Sequence, residues 1–69
     1  SLAQETVIKV LDAKSGETIP NANITFRSLL PGEEHATITG LTGVAKIPIH
    51  KPGILNISFV GYNSLHDTI

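Results

Sequence analysis

Hydrophobic residues recur at every second position in several short stretches of the chain. Ala22, Ile24 and Phe26 alternate with Asn23, Thr25 and Arg27. Leu55, Ile57 and Phe59 alternate with Asn56 and Ser58, and Ala45, Ile47 and Ile49 alternate with Lys46 and Pro48. Successive side chains of a strand point to opposite faces, so a period of two with one polar set predicts strands with one face on a core. Near the start Ile8 and Val10 form the inner set, because Lys9 marks its own parity, shared with Val7 and Leu11, as the outer one. The core predicted from these faces is Ile8, Val10, Ile24, Phe26, Ile47, Leu55, Ile57 and Phe59.

Glycine and proline divide the chain at strand-length intervals: Gly16, Pro20, Pro31-Gly32, Gly40, Gly43, Pro52-Gly53 and Gly61. Six strands are expected, over residues 6–11, 22–29, 35–39, 44–49, 54–60 and 64–69. No uninterrupted stretch suffices for an amphipathic helix of about three turns. Asp12 to Glu17 forms a polar loop in which Gly16 takes positive φ, and Asp12 is placed to accept backbone N–H bonds as an Asx-turn. Pro31-Gly32 suits a type II turn, and His50 to Gly53 reads as a second Pro-Gly turn. Pro48 lacks an N–H donor and directs its strand to an edge or a bulge. Many short strands with regular turns predict an all-β fold, a small β-sandwich of six to seven strands.

Composition narrows the possibilities for function. The 69 residues make one small domain with a thin core, since a chain of this size buries only about 60% of its unfolded surface. Aromatics are limited to Phe26, Phe59 and Tyr62, so aliphatic residues carry that core. Cysteine is absent, which excludes disulfide staples and thiolate chemistry. Five basic residues against six acidic ones give no basic footprint for nucleic acid. No apolar run approaches the roughly 20 residues of a membrane-spanning helix.

Candidate chemistry is sparse. His35, His50 and His66 form no close pair of ligand spacing and are expected beside turns or on polar strand faces. Glu33 and Glu34 are adjacent and point to opposite sides, so they make no catalytic carboxylate pair and read as a solvated loop. Calcium at Asp12 would need about six oxygen ligands from an acidic loop that this sequence lacks. Ser64, His66 and Asp67 cannot orient one another on one strand, because Asp67 faces away from the other two. Gly40-Leu41-Thr42-Gly43 lacks the lysine and the following helix of a phosphate loop. No catalytic, cofactor-binding or metal residue is therefore assigned, and no cofactor is expected. The small residues Ser1 and Ala3, ahead of Gln4, match the small-x-small pattern at a signal-peptidase cut. Residues 1–3 are read as the remnant of that region and residues 4–69 as the domain, although an ordinary frayed terminus is the alternative.

A set of motifs extends this picture. Val10-x-Asp12, then Gly16-Glu17-x-Ile19-Pro20-x-Ala22-x-Ile24, followed by Gly43-Val44-Ala45-x-Ile47 and Leu55-x-Ile57-Ser58-Phe59-Val60-Gly61-Tyr62, resembles the carboxypeptidase regulatory-like, or transthyretin-like, domain family over nearly the whole chain. The chain departs from that pattern where the family's aspartates near Gly40 to Gly43 are missing, where Ala45 replaces an aromatic, and where Asp67 replaces an apolar residue. The resemblance implies a transthyretin-like Greek-key sandwich with Asp12, Gly16, Pro20, Ala22, Gly43, Phe59, Gly61 and Tyr62 as its structural motif. On physical grounds Ala22 leaves room for a neighbouring segment. Gly61 is expected to swing Tyr62 across the end of the sandwich, with a buried ring and its hydroxyl on a backbone group.

Similar domains stand at the N-terminus of TonB-dependent outer-membrane receptors. The resemblance thus implies an exported, non-catalytic accessory domain on the periplasmic face of the outer membrane. Its partner would be a protein or the plug and barrel of its own parent receptor, with edge-strand self-association as a further possibility. Nucleic acid and direct membrane insertion are not expected. The alternatives are a surface carbohydrate-binding or adhesion module, which the scarcity of aromatics disfavours, and an accessory domain of a secreted peptidase.

Overall fold

The computed structural model describes residues 5–50 and 52–69. Residues 1–3, read above as a cleavage remnant, lie outside them, as does Lys51. The fold is all-β, with six strands in two antiparallel sheets and no helix among the described residues. In chain order the strands are β1 (Thr6–Lys9), β2 (Asn23–Ser28), β3 (Glu34–Ile38), β4 (Val44–Ile47), β5 (Gly53–Ser58) and β6 (Leu65–Thr68). Each was expected from the sequence, with ends differing by one or two residues. Pro48 falls just past β4, consistent with its missing donor.

A four-stranded sheet in the order β3-β2-β5-β6 is faced by a two-stranded sheet, β1-β4. Side-chain parity sets the inner faces. Ile24 and Phe26 of β2 are opposite Ile57 and Leu55 of β5, all on the core side. Ala45, Ile47 and Ile49 approach from the small sheet, and Ile8 and Val10 pack partly buried against the cluster. On the outer face Thr25, Arg27, Glu34 and Asn56 form a polar surface, with an exposed Arg27–Glu34 pair at 3.0 Å. Such a pair contributes little, about 0–1 kcal/mol.

Two close approaches fix the packing. Gly53 was assigned to a turn, but it begins β5 as a buried residue beneath Phe26. A Cβ there would lie 2.2 Å from Phe26 Cζ and 2.7 Å from the Arg27 carbonyl. Only glycine lets the ring lie flat against that backbone. Gly43 has φ of +74°, and a Cβ would fall 2.7 Å from Thr18 Cβ and 3.0 Å from the Ile19 nitrogen. It allows the β3–β4 connection to seat against the loop that leaves β1.

Thr39 is fully buried and ties the end of β3 to the stretch that leads into β2. Its hydroxyl donates to the Ile19 carbonyl at 2.7 Å and accepts the Ala22 N–H at 2.8 Å. Ala22 is fully buried too, and its carbonyl accepts the Thr39 N–H at 3.0 Å. Ile19, also buried, joins the core although no alternation marked it.

The large sheet is twice the width of the small one. The inner face of β2 is fully buried, the inner-face residues of β3 are half-buried, and every residue of β6 is exposed. Burial fades along β5: Leu55 is buried, Ile57 half-buried, and Phe59 beyond the strand end also half-buried. Phe59 was expected in the core. It lies outside the central cluster because β1 and β4 do not reach over it, and it instead rests on Tyr62 with ring centroids 5.8 Å apart.

Candidate functional site

The motif residues collect at one end of the sandwich. Asp12 leaves β1 and caps its own loop, accepting the Lys14 N–H at 2.8 Å and the Ser15 N–H at 2.9 Å through Oδ1. Gly16, at φ +75°, turns the chain back so that the Asp12 N–H donates to the Glu17 carbonyl. This is the Asx-turn expected from the sequence. The hairpin then returns past Ile19 to Pro20, and the left-handed Asn21, at φ +61°, leads into Ala22 and β2.

Far along the chain from Asp12, Gly61 takes φ +87° and turns Tyr62, fifty residues from Asp12, toward this loop. The Tyr62 hydroxyl donates to Asp12 Oδ2 at 2.7 Å. The Tyr62 ring is 45% exposed and its acceptor is a carboxylate, in contrast to the buried ring and backbone acceptor that the sequence suggested. The reason is again the missing layer over this end. The Ser15 N–H, the Tyr62 hydroxyl and the Lys14 N–H together hold the Asp12 carboxyl at a pKa of about 2, below its ordinary 3.8. The same bond raises the Tyr62 phenol above its ordinary value, because ionisation would set two negative charges face to face.

Between this clasp and the free side of β1 runs an open groove. Val10, Leu11, Ile57, Phe59 and Leu65 supply its apolar surface, and Lys9, Asp12, Lys14 and Tyr62 line its margin. Leu65 is 54% exposed although its parity matches the inner face, since it pairs with Ile57.

A second polar cluster was not foreseen. Glu33 was read as part of a solvated loop and the histidines as exposed turn residues. Glu33 is instead half-buried, and its Oε2 meets His50 Nδ1 at 2.5 Å and His35 Nε2 at 3.4 Å. The available signal was the i, i+2 spacing of Glu33 and His35, which places them on one strand face. His50 joins them only through the fold. The His50 bond draws the Glu33 pKa below its ordinary value, opposed by partial desolvation. Both imidazoles address one carboxylate oxygen, which makes a hydrogen-bonded bridge between the start of β3 and the chain after β4. Among the described residues no group of three or more His, Asp or Glu is arranged to hold a metal ion. His66, on the outer face, bonds Asn56 across the β5–β6 pair and does not meet Asp67.

The arrangement therefore offers strand edges, a groove and polar ties between loops. Among the described residues no nucleophile, base and oxyanion donor converge in it. No protein-family model, no curated protein and no solved structure matches the chain.

Proposed function

We propose that this chain is a non-catalytic accessory domain that works through protein–protein contact or spacing. The observation that carries this reading is the half-covered sandwich. A free strand edge runs beside an apolar groove lined by Ile57, Phe59 and Leu65, and the side chains around it assemble no reaction centre. Surfaces of this kind bind extended polypeptide by adding a strand to the sheet. The motif resemblance supports placing the domain at the periplasmic face of the outer membrane, ahead of the plug and barrel of a TonB-dependent nutrient receptor.

The test is a deletion of residues 4–69 from the intact parent chain, scored for folded receptor in the outer membrane and for growth on the imported nutrient. An appendage of this type leaves barrel insertion intact and alters uptake or partner assembly. Loss of the barrel itself would make the domain part of the receptor's folding core. Unchanged uptake and assembly would remove the contact role.

A further inference from the structure

The ladder between β1 and β4 determines which backbone groups are free. Thr6 is opposite Ile47 and Ile8 opposite Ala45, and the Val10 N–H donates to the Gly43 carbonyl at 2.9 Å. In an antiparallel pair the N–H and C=O of one residue point to the same side, and successive residues alternate. Thr6, Ile8 and Val10 therefore face β4, and the backbone groups of Val7, Lys9 and Leu11 face the other way. The return of the hairpin does not cover them. Ile19 bonds the Val10 carbonyl, on the side that β4 already occupies. Beside this free edge lie the half-buried end of β5, at Ile57 and Phe59, and the exposed Leu65 of β6.

We infer that the free edge of β1 and the exposed Ile57–Leu65 face form one docking channel for a single extended polypeptide segment, which adds as a third strand to the small sheet. This rests on the contact-module reading above and specifies its edge and its ligand. The channel sets the chemistry of that segment. Residues opposite Ile8 and Val10 point inward onto Ile57, Phe59 and Leu65, so they are apolar. Residues opposite Val7 and Lys9 lie on the outer face, where Lys9 and Lys46 have no ion-pair partner among the described residues. An acidic side chain there meets unneutralised positive charge.

A folded second copy does not fit. Antiparallel pairing of two β1 edges turns both inner faces to the same side, so each copy's overhanging β5–β6 would occupy the space of the other's. The β6 edge of the large sheet is less suitable, because Asp67 places a charge on its inner face and no apolar layer adjoins it.

The experiment uses the 69-residue chain, isotope-labelled, with amide hydrogen exchange read by NMR. The probe is a short synthetic peptide of alternating valine and threonine with one glutamate among the threonines. It is N-methylated at the positions whose N–H would face away from β1, so that it cannot stack on itself. At saturating peptide the Val7 and Lys9 amides should slow by at least about tenfold, while those of Ile8 and Val10, already bonded, change little. Leu65→Ser, at an exposed site that leaves the fold intact, should weaken the peptide about tenfold. Lys9→Glu should shift preference to a peptide carrying lysine in place of glutamate. Absence of protection at Val7 and Lys9 would overturn the inference. So would their protection without peptide, growing with chain concentration, since the occupant would then be a second copy. Protection appearing at β3 or β6 instead would overturn the choice of edge while leaving the contact-module reading in place.

Discussion

Two segments of this domain have nearly the same pattern and different fates. Ala22-x-Ile24-x-Phe26 and Leu55-x-Ile57-x-Phe59 both turn alternate apolar residues to the inner face of the large sheet. In the first, all three residues are buried, and Phe26 is 1% exposed. In the second, Leu55 is buried while Ile57 and Phe59 are open on one side. The difference lies in what is stacked above. The β1–β4 pair closes the core over β2 and the start of β5, where Gly53 and Leu55 are buried, and leaves the end of β5 and all of β6 open. Alternation specifies which face of a strand is apolar. It does not specify whether another layer of the molecule reaches that face, and an apolar face without a layer is where another polypeptide can bind.

This contrast can be sharpened by removing the ties that hold the covered half. Thr39→Val takes away a hydroxyl that serves a buried donor and a buried acceptor at once. It should cost about 2–3 kcal/mol in urea unfolding, since the Ala22 N–H and the Ile19 carbonyl both lose a partner. A loss below about 1 kcal/mol would mean that water or a rearranged backbone satisfies them. Gly53→Ala should cost about 1–3 kcal/mol by overpacking, because the new methyl meets the Phe26 ring and the Arg27 backbone. The check is its thermal midpoint beside that of Gly32→Ala, whose Cβ would meet nothing within 4 Å. Gly32 has φ of +92°, so that control reports backbone strain without the clash.

A smaller effect is expected at the rim of the open half. The Asp12 carboxyl has its pKa depressed to about 2 in the folded chain, so its bonds stabilise the fold above its ordinary value of 3.8. That contribution falls away as pH drops from about 4 toward 2. Asp12→Asn should flatten this part of the stability–pH curve, and Tyr62→Phe should reduce it in part. A melting series across that range, with an unchanged acid slope in Asp12→Asn, would show that the clasp does not form in solution. Glu33 has a depressed pKa as well, so His50→Ala should also reduce acid sensitivity, by weakening the bond that His50 supplies.

The legible parts of this molecule are those set by near neighbours. Strand positions, the face of each strand and the Asx-turn at Asp12 follow from spacing within a few residues. The bond from Tyr62 to Asp12 spans 50 residues and the bridge from His50 to Glu33 spans 17. Neither pairing has a local signature, so the sequence alone reads Glu33 and the histidines as solvated. The burial of Ile19, Thr39 and Gly53 is not legible in the sequence for a related reason. They lie at element ends, where burial depends on which segment packs against them. Phe59 was misplaced because its parity was correct and the covering layer was absent.

The central claim, that equivalent inner-face positions differ because the small sheet covers β2 and the start of β5 but not the end of β5, is tested most directly by one paired measurement. Phe26→Ala and Phe59→Ala remove the same side chain from the same parity in the covered and the open region. In equilibrium urea unfolding Phe26→Ala should cost about 3–5 kcal/mol, the range for a fully buried phenylalanine. Phe59→Ala, which loses mainly its contact with Tyr62, should cost about 1 kcal/mol. Equal losses in the two variants would show that Phe59 lies under a layer after all, and the open channel beside β1 would not exist.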